Sequence, residues 1–199
     1  MKKTSCHSIT ERQTHFFLNN KYVVLENHLS VDLISVIKSY IEIEKEKGKK
    51  MVDPMIKNAY CWATDPFFDS ILLSLKPIME KITGKLLFPT YSYLRIYSQG
   101  DDLEKHVDRK ACEYSCSITL DYDSDSLWPI FIRPFNEDIP IITNCGDILV
   151  YKGCEVVHWR EKFIHGNSWT QMFLHYVDSN GSFASEKYDK RSNLGTDYF

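Results

Sequence analysis

From residue 88 to residue 178 apolar residues recur at every second position, and this pattern limits the possible folds more than any other feature of the chain. TYSYLRIYS (90–98), YSCSITLDY (114–122), LWPIFIRPF (127–135), DIPIIT (138–143), GDILVYKG (146–153) and SWTQMFLHYV (168–177) each read as a strand, with polar turns such as DYDSDS (121–126) and FNED (135–138) between them. A period of two places neighbouring side chains on opposite faces of a sheet. With the short strands at HVD (106–108) and HWR (158–160), the sequence predicts about eight short strands at regular spacing. That is the mark of an antiparallel sandwich or jelly roll.

Two helices precede the strands. Residues 30–48 carry an apolar stripe of Val31, Ile34, Ile37, Tyr40 and Ile41 behind a Ser30 cap, with Gly48 as a stop. Residues 65–84 start with Asp65 as cap and Pro66 at the first helical position, and end at Gly84. Pro77 inside that span predicts a kink or a break. No repeat or linker divides the chain, so one domain over 1–199 is expected. It would have a mainly helical part (1–85), a β core (86–178) and a polar tail (179–199) that is partly disordered or folds back.

The net charge of −3 and pI near 6.2 give no support for nucleic-acid binding. The run EKEKGKK (44–50) reads as a solvated helix end. Neither a signal peptide nor a membrane span is legible, and a cytoplasmic protein is expected. The six cysteines form no CxxC pair, so they read as buried thiols. Cys112 and Cys116 share parity and are expected on one face.

The chemistry concentrates at DDLEKHVDRKACE (101–113) and GCEVVHWRE (153–161). In a strand, His106 and Asp108 point the same way and can hold one ion. A further histidine would complete a face of two imidazoles and one carboxylate. Such a face leaves three of six positions open, which suits ferrous iron working with O2 and a chelating cosubstrate. His158 is the best third ligand, because it follows the apolar strand DILVY and Gly153, which lets the chain bend into a pocket. His7, His15, His28 and His165 lie in less suitable places, and His175 in the last strand is the serious rival.

YSYLRIYSQGDDLEKHVDR, CEYSCSITLDY, GDILVYKG, HWRE and QMFLHYVD together resemble the Fe(II)- and 2-oxoglutarate-dependent dioxygenases, in particular their small prolyl-hydroxylase-like branch. The resemblance covers roughly residues 85–178. It implies a double-stranded β-helix, a cupin-like jelly roll, with His106, Asp108 and His158 as catalytic iron ligands. It further implies 2-oxoglutarate chelating the iron, O2 at the remaining position, succinate and CO2 as products, and hydroxylation of a C–H bond nearby. One departure stands out. The family places Arg or Lys about ten residues after the second histidine to meet the far carboxylate of 2-oxoglutarate, whereas this chain reads NSWTQMF at 167–173. A buried dianion needs cations or several donors. Arg95 is the first candidate, flanked on its strand face by Tyr93 and Tyr97, and Arg160 and Lys152 follow. Ser117, Thr119 and Gln171 offer further polar groups, and Arg109 could steer substrate at the rim.

Two other readings compete. One is a non-haem iron enzyme on a cupin-like fold that uses no 2-oxoglutarate, which the absent last-strand cation favours. The other is a binding protein without turnover. The substrate itself is not readable from the sequence: a free amino acid, a small metabolite or a peptide side chain would each fit the resemblance. Tyr60, Trp62, Trp128 and Trp159 are candidates for lining its pocket, with burial in the core as their ordinary role. The oligomeric state is not legible.

Overall fold

The fold is given by a computed structural model that describes residues 9–48, 50–51, 53–56 and 59–196. Cys6 and His7 lie outside the described residues. Three α-helices occur among the described residues: α1 (Glu11–Asn20), α2 (Val31–Glu46) and α3 (Pro66–Thr83). The strands are β1 (Tyr22–Leu25), β2 (Tyr60–Ala63), β3 (Leu87–Ser98), β4 (Leu103–His106), β5 (Tyr114–Ser124), β6 (Ile130–Arg133), β7 (Ile139–Ile141), β8 (Ile148–Tyr151), β9 (Val157–Arg160) and β10 (Gly166–Asp178). They form a larger antiparallel sheet ordered β1-β8-β5-β10-β3-β2 and a smaller one ordered β4-β9-β6-β7. This is the expected jelly roll.

Period two does two jobs in the larger sheet. Cys116, Ile118 and Leu120 of β5 and Met172, Leu174 and Tyr176 of β10 share one buried cluster with Phe17 of α1, Ile37 of α2 and Leu72 of α3. Each large apolar side chain buried there contributes roughly 1.5–3 kcal/mol. The alternate residues form a polar row on the other face: Ser115, Ser117 and Thr119 on β5, and Gln171 and His175 on β10, all buried. Their hydrogen bonds run to one another and to the smaller sheet's side of the roll. The far end of the interior is closed by Tyr97, Leu103, Trp128, Phe163 and Trp169.

Several expectations need correction. The mainly helical N-terminal part also supplies β1 and β2, the two edges of the larger sheet. Helix α1 is announced by a reciprocal cap that the apolar pattern does not reveal: Gln13 N donates to Thr10 Oγ1 (3.3 Å), and Thr10 N donates to Gln13 Oε1 (2.9 Å). Helix α3 does not break at Pro77. The carbonyl that a proline at 77 leaves without an amide belongs to Leu73, and both residues lie on the solvent face, where the carbonyl is open to water. Cys112 and Cys116 do not share a face. Cys112 sits in a 3-10 turn before β5, so strand parity does not reach it. The tail folds back: Arg191 pairs with Asp69 of α3 (3.1 Å) and donates to the Thr90 carbonyl (3.0 Å). No helix among the described residues is long and apolar enough to cross a membrane.

Candidate metal centre

His106 ends β4 and stands opposite His158 of β9 in the ladder, with ring centroids 4.2 Å apart. Asp108 lies just beyond β4 rather than within it. It reaches the histidines because its amide donates to the Gly153 carbonyl (2.9 Å). Nε2 of His106 and Nε2 of His158 are 3.7 and 3.5 Å from the same oxygen, Asp108 Oδ1. His106, Asp108 and His158 are thus brought together as the sequence suggested, within 4.8 Å of one another.

Their tautomers follow from the backbone. Nδ1 of His106 lies 2.8 Å from the Glu104 carbonyl, and Nδ1 of His158 lies 3.0 Å from that of Val156. A carbonyl only accepts, so each Nδ1 carries the hydrogen and each neutral ring presents a bare Nε2. Burial, and then the neighbouring His158, push the pKa of His106 down. Burial works against the charge of Asp108, yet His158 and the other imidazoles beside it hold its carboxyl well below the usual carboxylate range. Two nitrogen lone pairs and a carboxylate oxygen therefore converge on one point. Such convergence is repulsive alone and is relieved by a cation, so the donor set fits a divalent metal.

Gly153 acts by what it lacks. Its φ is not in the left-handed range, so the expected bend is not its contribution. A Cβ there would overlap the Cys112 carbonyl and Asp108 Oδ2, and would stand 2.8 Å from Ser115 Oγ. Gly153→Ala is expected to cost about 3 kcal/mol through overpacking and to displace Asp108. Urea unfolding together with a Mn(II) titration checks this, and wild-type values in both would refute it.

A cavity of about 360 Å³ opens at the three donors and is walled by Tyr91, Tyr93, Arg95, Tyr151 and Phe173. Trp62, Trp128 and Trp159 are buried in packing and none of them lines this cavity, nor does Tyr60. Arg95 reaches the cavity, but its charge is already answered. Nε donates to Asp53 Oδ2 (2.6 Å), one terminal nitrogen to Asp53 Oδ1 (3.2 Å) and the other to the Tyr97 hydroxyl (3.1 Å). Tyr93 donates to the same carboxylate (2.8 Å). Nothing in the sequence linked residue 53 to residue 95, because the pair spans 42 positions. Lys152 is engaged with Glu155 away from the site (3.2 Å). Arg109 places both terminal nitrogens on Asp189 of the tail (2.5 and 2.6 Å).

Arg160 differs from these cations. It is 2 % exposed, and no carboxylate among the described residues lies within ion-pair distance. Its guanidinium donates to the Trp128 carbonyl (2.6 Å) and, at 3.4 Å, to Gln171 Oε1. That one oxygen also receives Trp169 Nε1–H (2.8 Å) and the Thr119 hydroxyl (3.3 Å). Gln171 in turn donates to Ser117 Oγ (2.8 Å). Burial pulls the pKa of Arg160 down to about 10. The cluster is rich in donors and poor in negative charge. Arg160 stands two residues from His158 on the same strand face, so its anchor point is about 7 Å from the histidine's.

The two sheets have the fold of solved 2-oxoglutarate- and Fe(II)-dependent oxygenases. The α-ketoglutarate-dependent carbocyclase SnoK from nogalamycin biosynthesis superposes with a TM-score of 0.74 at 14% identity, over 88% of this chain and 87% of that one. A prolyl-4-hydroxylase from Pseudomonas putida gives 0.68 at 12% identity, over 84% and 97%. HygX from Streptomyces hygroscopicus, solved with nickel, 2-oxoglutarate and hygromycin B, gives 0.68 at 13% identity, over 86% and 88%. No family model and no curated protein sequence matches the chain.

Proposed function

We propose that the protein is an Fe(II)- and 2-oxoglutarate-dependent oxygenase that hydroxylates a C–H bond of a small molecule or peptide side chain, releasing succinate and CO2. The observation that carries this reading is the convergence of two bare imidazole nitrogens and Asp108 Oδ1, both tautomers being fixed by backbone carbonyls. His106, Asp108 and His158 would hold the iron on one side and leave its other positions to ligands. Ferrous iron with the keto acid and O2 supplies the oxidising chemistry.

The remaining residues bind and exclude. Arg160 is not among the residues that wall the cavity, but it carries a positive charge with no carboxylate partner among the described residues and would offer it to the far carboxylate of the keto acid, with Gln171 as an orienting group. Arg95, with its charge answered by Asp53, closes the near wall of the cavity beside Tyr93. Tyr93, Tyr151 and Phe173 keep water from the reacting centre. A cavity of about 360 Å³ is near the lower end for ligand sites, which favours a small substrate or one side chain. The acidic balance argues against a nucleic-acid partner.

The test is anaerobic. Adding Fe(II) and then 2-oxoglutarate to the metal-free protein should give the visible charge-transfer band of a chelated keto acid, and His106→Ala should not. Iron binding without the band would overturn the keto-acid reading and favour a non-haem iron enzyme of another kind. The band without succinate, across a broad set of candidate substrates, would favour a binding protein.

A further inference from the structure

On the side of Asp108 turned away from the two imidazoles lies a second polar group that metal binding does not use. Ser115 is an inward-facing residue of β5, and its hydroxyl donates to Asp108 Oδ2 at 3.0 Å. His175 stands opposite Ser115 in the β5–β10 ladder, with Nδ1 2.9 Å from the same hydroxyl. The Cys112 carbonyl lies farther from it, at 3.3 Å. A serine hydroxyl has one hydrogen. It goes to the charged acceptor, because a hydrogen bond to a carboxylate is roughly twice as strong as one to a neutral group. The serine oxygen is then left to accept, so Nδ1 of His175 must carry a hydrogen and donate it. The order is His175 Nδ1–H to Ser115 Oγ, and Ser115 Oγ–H to Asp108 Oδ2.

The surroundings keep this order in place. Ser115 and His175 are 0 % and 5 % exposed, and the Tyr91 ring lies over His175 with centroids 4.5 Å apart. Burial pushes the pKa of His175 down to about 4, so its ring is neutral near pH 7. Only a residue without a Cβ fits at position 153, against Asp108 Oδ2, the Cys112 carbonyl and Ser115 Oγ. Asp108, Cys112 and His175 also lie within 4.8 Å of one another. They make a poor second metal site, because burial raises the pKa of Cys112 well above a thiol's usual value and Tyr91 OH sits 3.2 Å from its sulfur. A thiol so placed keeps its proton.

We propose that His175 and Ser115 are positioning residues for the metal: their hydrogen-bonded chain holds Asp108 Oδ2, so that Oδ1 alone is presented beside His106 and His158. This inference rests on the metal reading above. It gives His175, a rival ligand by sequence, a supporting role instead. Holding Oδ2 back stops the carboxylate from chelating with both oxygens, which would consume a position that ligands need.

The test reads metal affinity directly. Mn(II) and Co(II) dissociation constants would be measured by calorimetry at pH 7, with the d–d spectrum of the Co(II) protein and the melting temperature of each metal-free variant. Ser115→Ala removes one oxygen and little packing. It is expected to weaken both metals about 10–100-fold, as loss of groups supporting metal ligands commonly does, and to alter the Co(II) spectrum. His175→Leu should weaken binding similarly. His175→Asn keeps an N–H donor at the Nδ1 position and should stay within a few-fold of wild type. His106→Ala is the control for the metal reading. If it binds metal as wild type does, the metal centre itself is misplaced. If it loses metal while Ser115→Ala and His175→Leu match wild type, the relay is refuted and the centre stands. Equal losses in His175→Asn and His175→Leu would show that the ring acts by packing, and would also refute the relay.

Discussion

Asp108→Ala is expected to abolish iron binding at micromolar concentrations and to lower turnover by at least about a thousandfold, equivalent to roughly 4 kcal/mol of lost transition-state stabilisation. The reason is electrostatic as well as geometric. Of the three donors, Asp108 alone brings formal negative charge, and its Oδ1 is the atom that both imidazole nitrogens face. Removing it leaves two neutral rings, which bind divalent iron weakly. The measurement is the anaerobic keto-acid band alongside succinate release. A variant that keeps both would show that the metal sits elsewhere.

Arg160→Met is expected to weaken 2-oxoglutarate about a hundredfold, or roughly 3 kcal/mol, with iron affinity little changed. Stability should not fall with it. The guanidinium is buried without a carboxylate partner among the described residues, so an apolar side chain of similar length relieves a desolvation cost. A titration of the charge-transfer band gives the first quantity and a thermal melt gives the second. Should Arg160→Met leave 2-oxoglutarate affinity unchanged while Arg95→Met weakens it, the carboxylate partner is Arg95 after release from Asp53. A large drop in melting temperature with unchanged affinity would make Arg160 a structural residue.

Much of the fold was legible because period two is a local signal. It marked β3, β5, β8, β10 and the strand at His158, whereas the strand at His106 ends at that residue and leaves Asp108 outside it. The caps of α2 and α3 were legible for the same reason: Ser30, Asp65 and Gly84 stand where their own sequence neighbours predict. Strands β1 and β2 were not, since each has four residues and becomes an edge only when the larger sheet forms. The site divides in the same way. His106 and Asp108 are close in sequence, and an apolar strand points to His158. The groups that decide their behaviour come from far along the chain: Asp53 on Arg95, His175 and Ser115 beside Asp108, and Asp189 on Arg109. Each such pairing depends on the sheet order, and no spacing rule contains it. The Arg160 position shows the limit most clearly. The sequence offered it as one cation of several, and only its burial among Trp128, Trp169 and Gln171 separates it from Arg95 and Lys152.

Strands β5 and β10 each carry two interleaved alphabets, one read by the helices and one by the interior of the roll beside the candidate metal centre. A lineage built on this sheet can therefore rewrite its chemistry at 115, 117, 119, 171, 173 and 175 while the intervening letters continue to hold the fold. The same arrangement makes the strands intolerant of frame errors. Inserting or deleting one residue would exchange the alphabets, turning serines toward the helices and isoleucine toward the metal. Diversification of the inward face is cheap by substitution, whereas a single-residue insertion must be absorbed by a bulge such as those the β5–β10 ladder already carries.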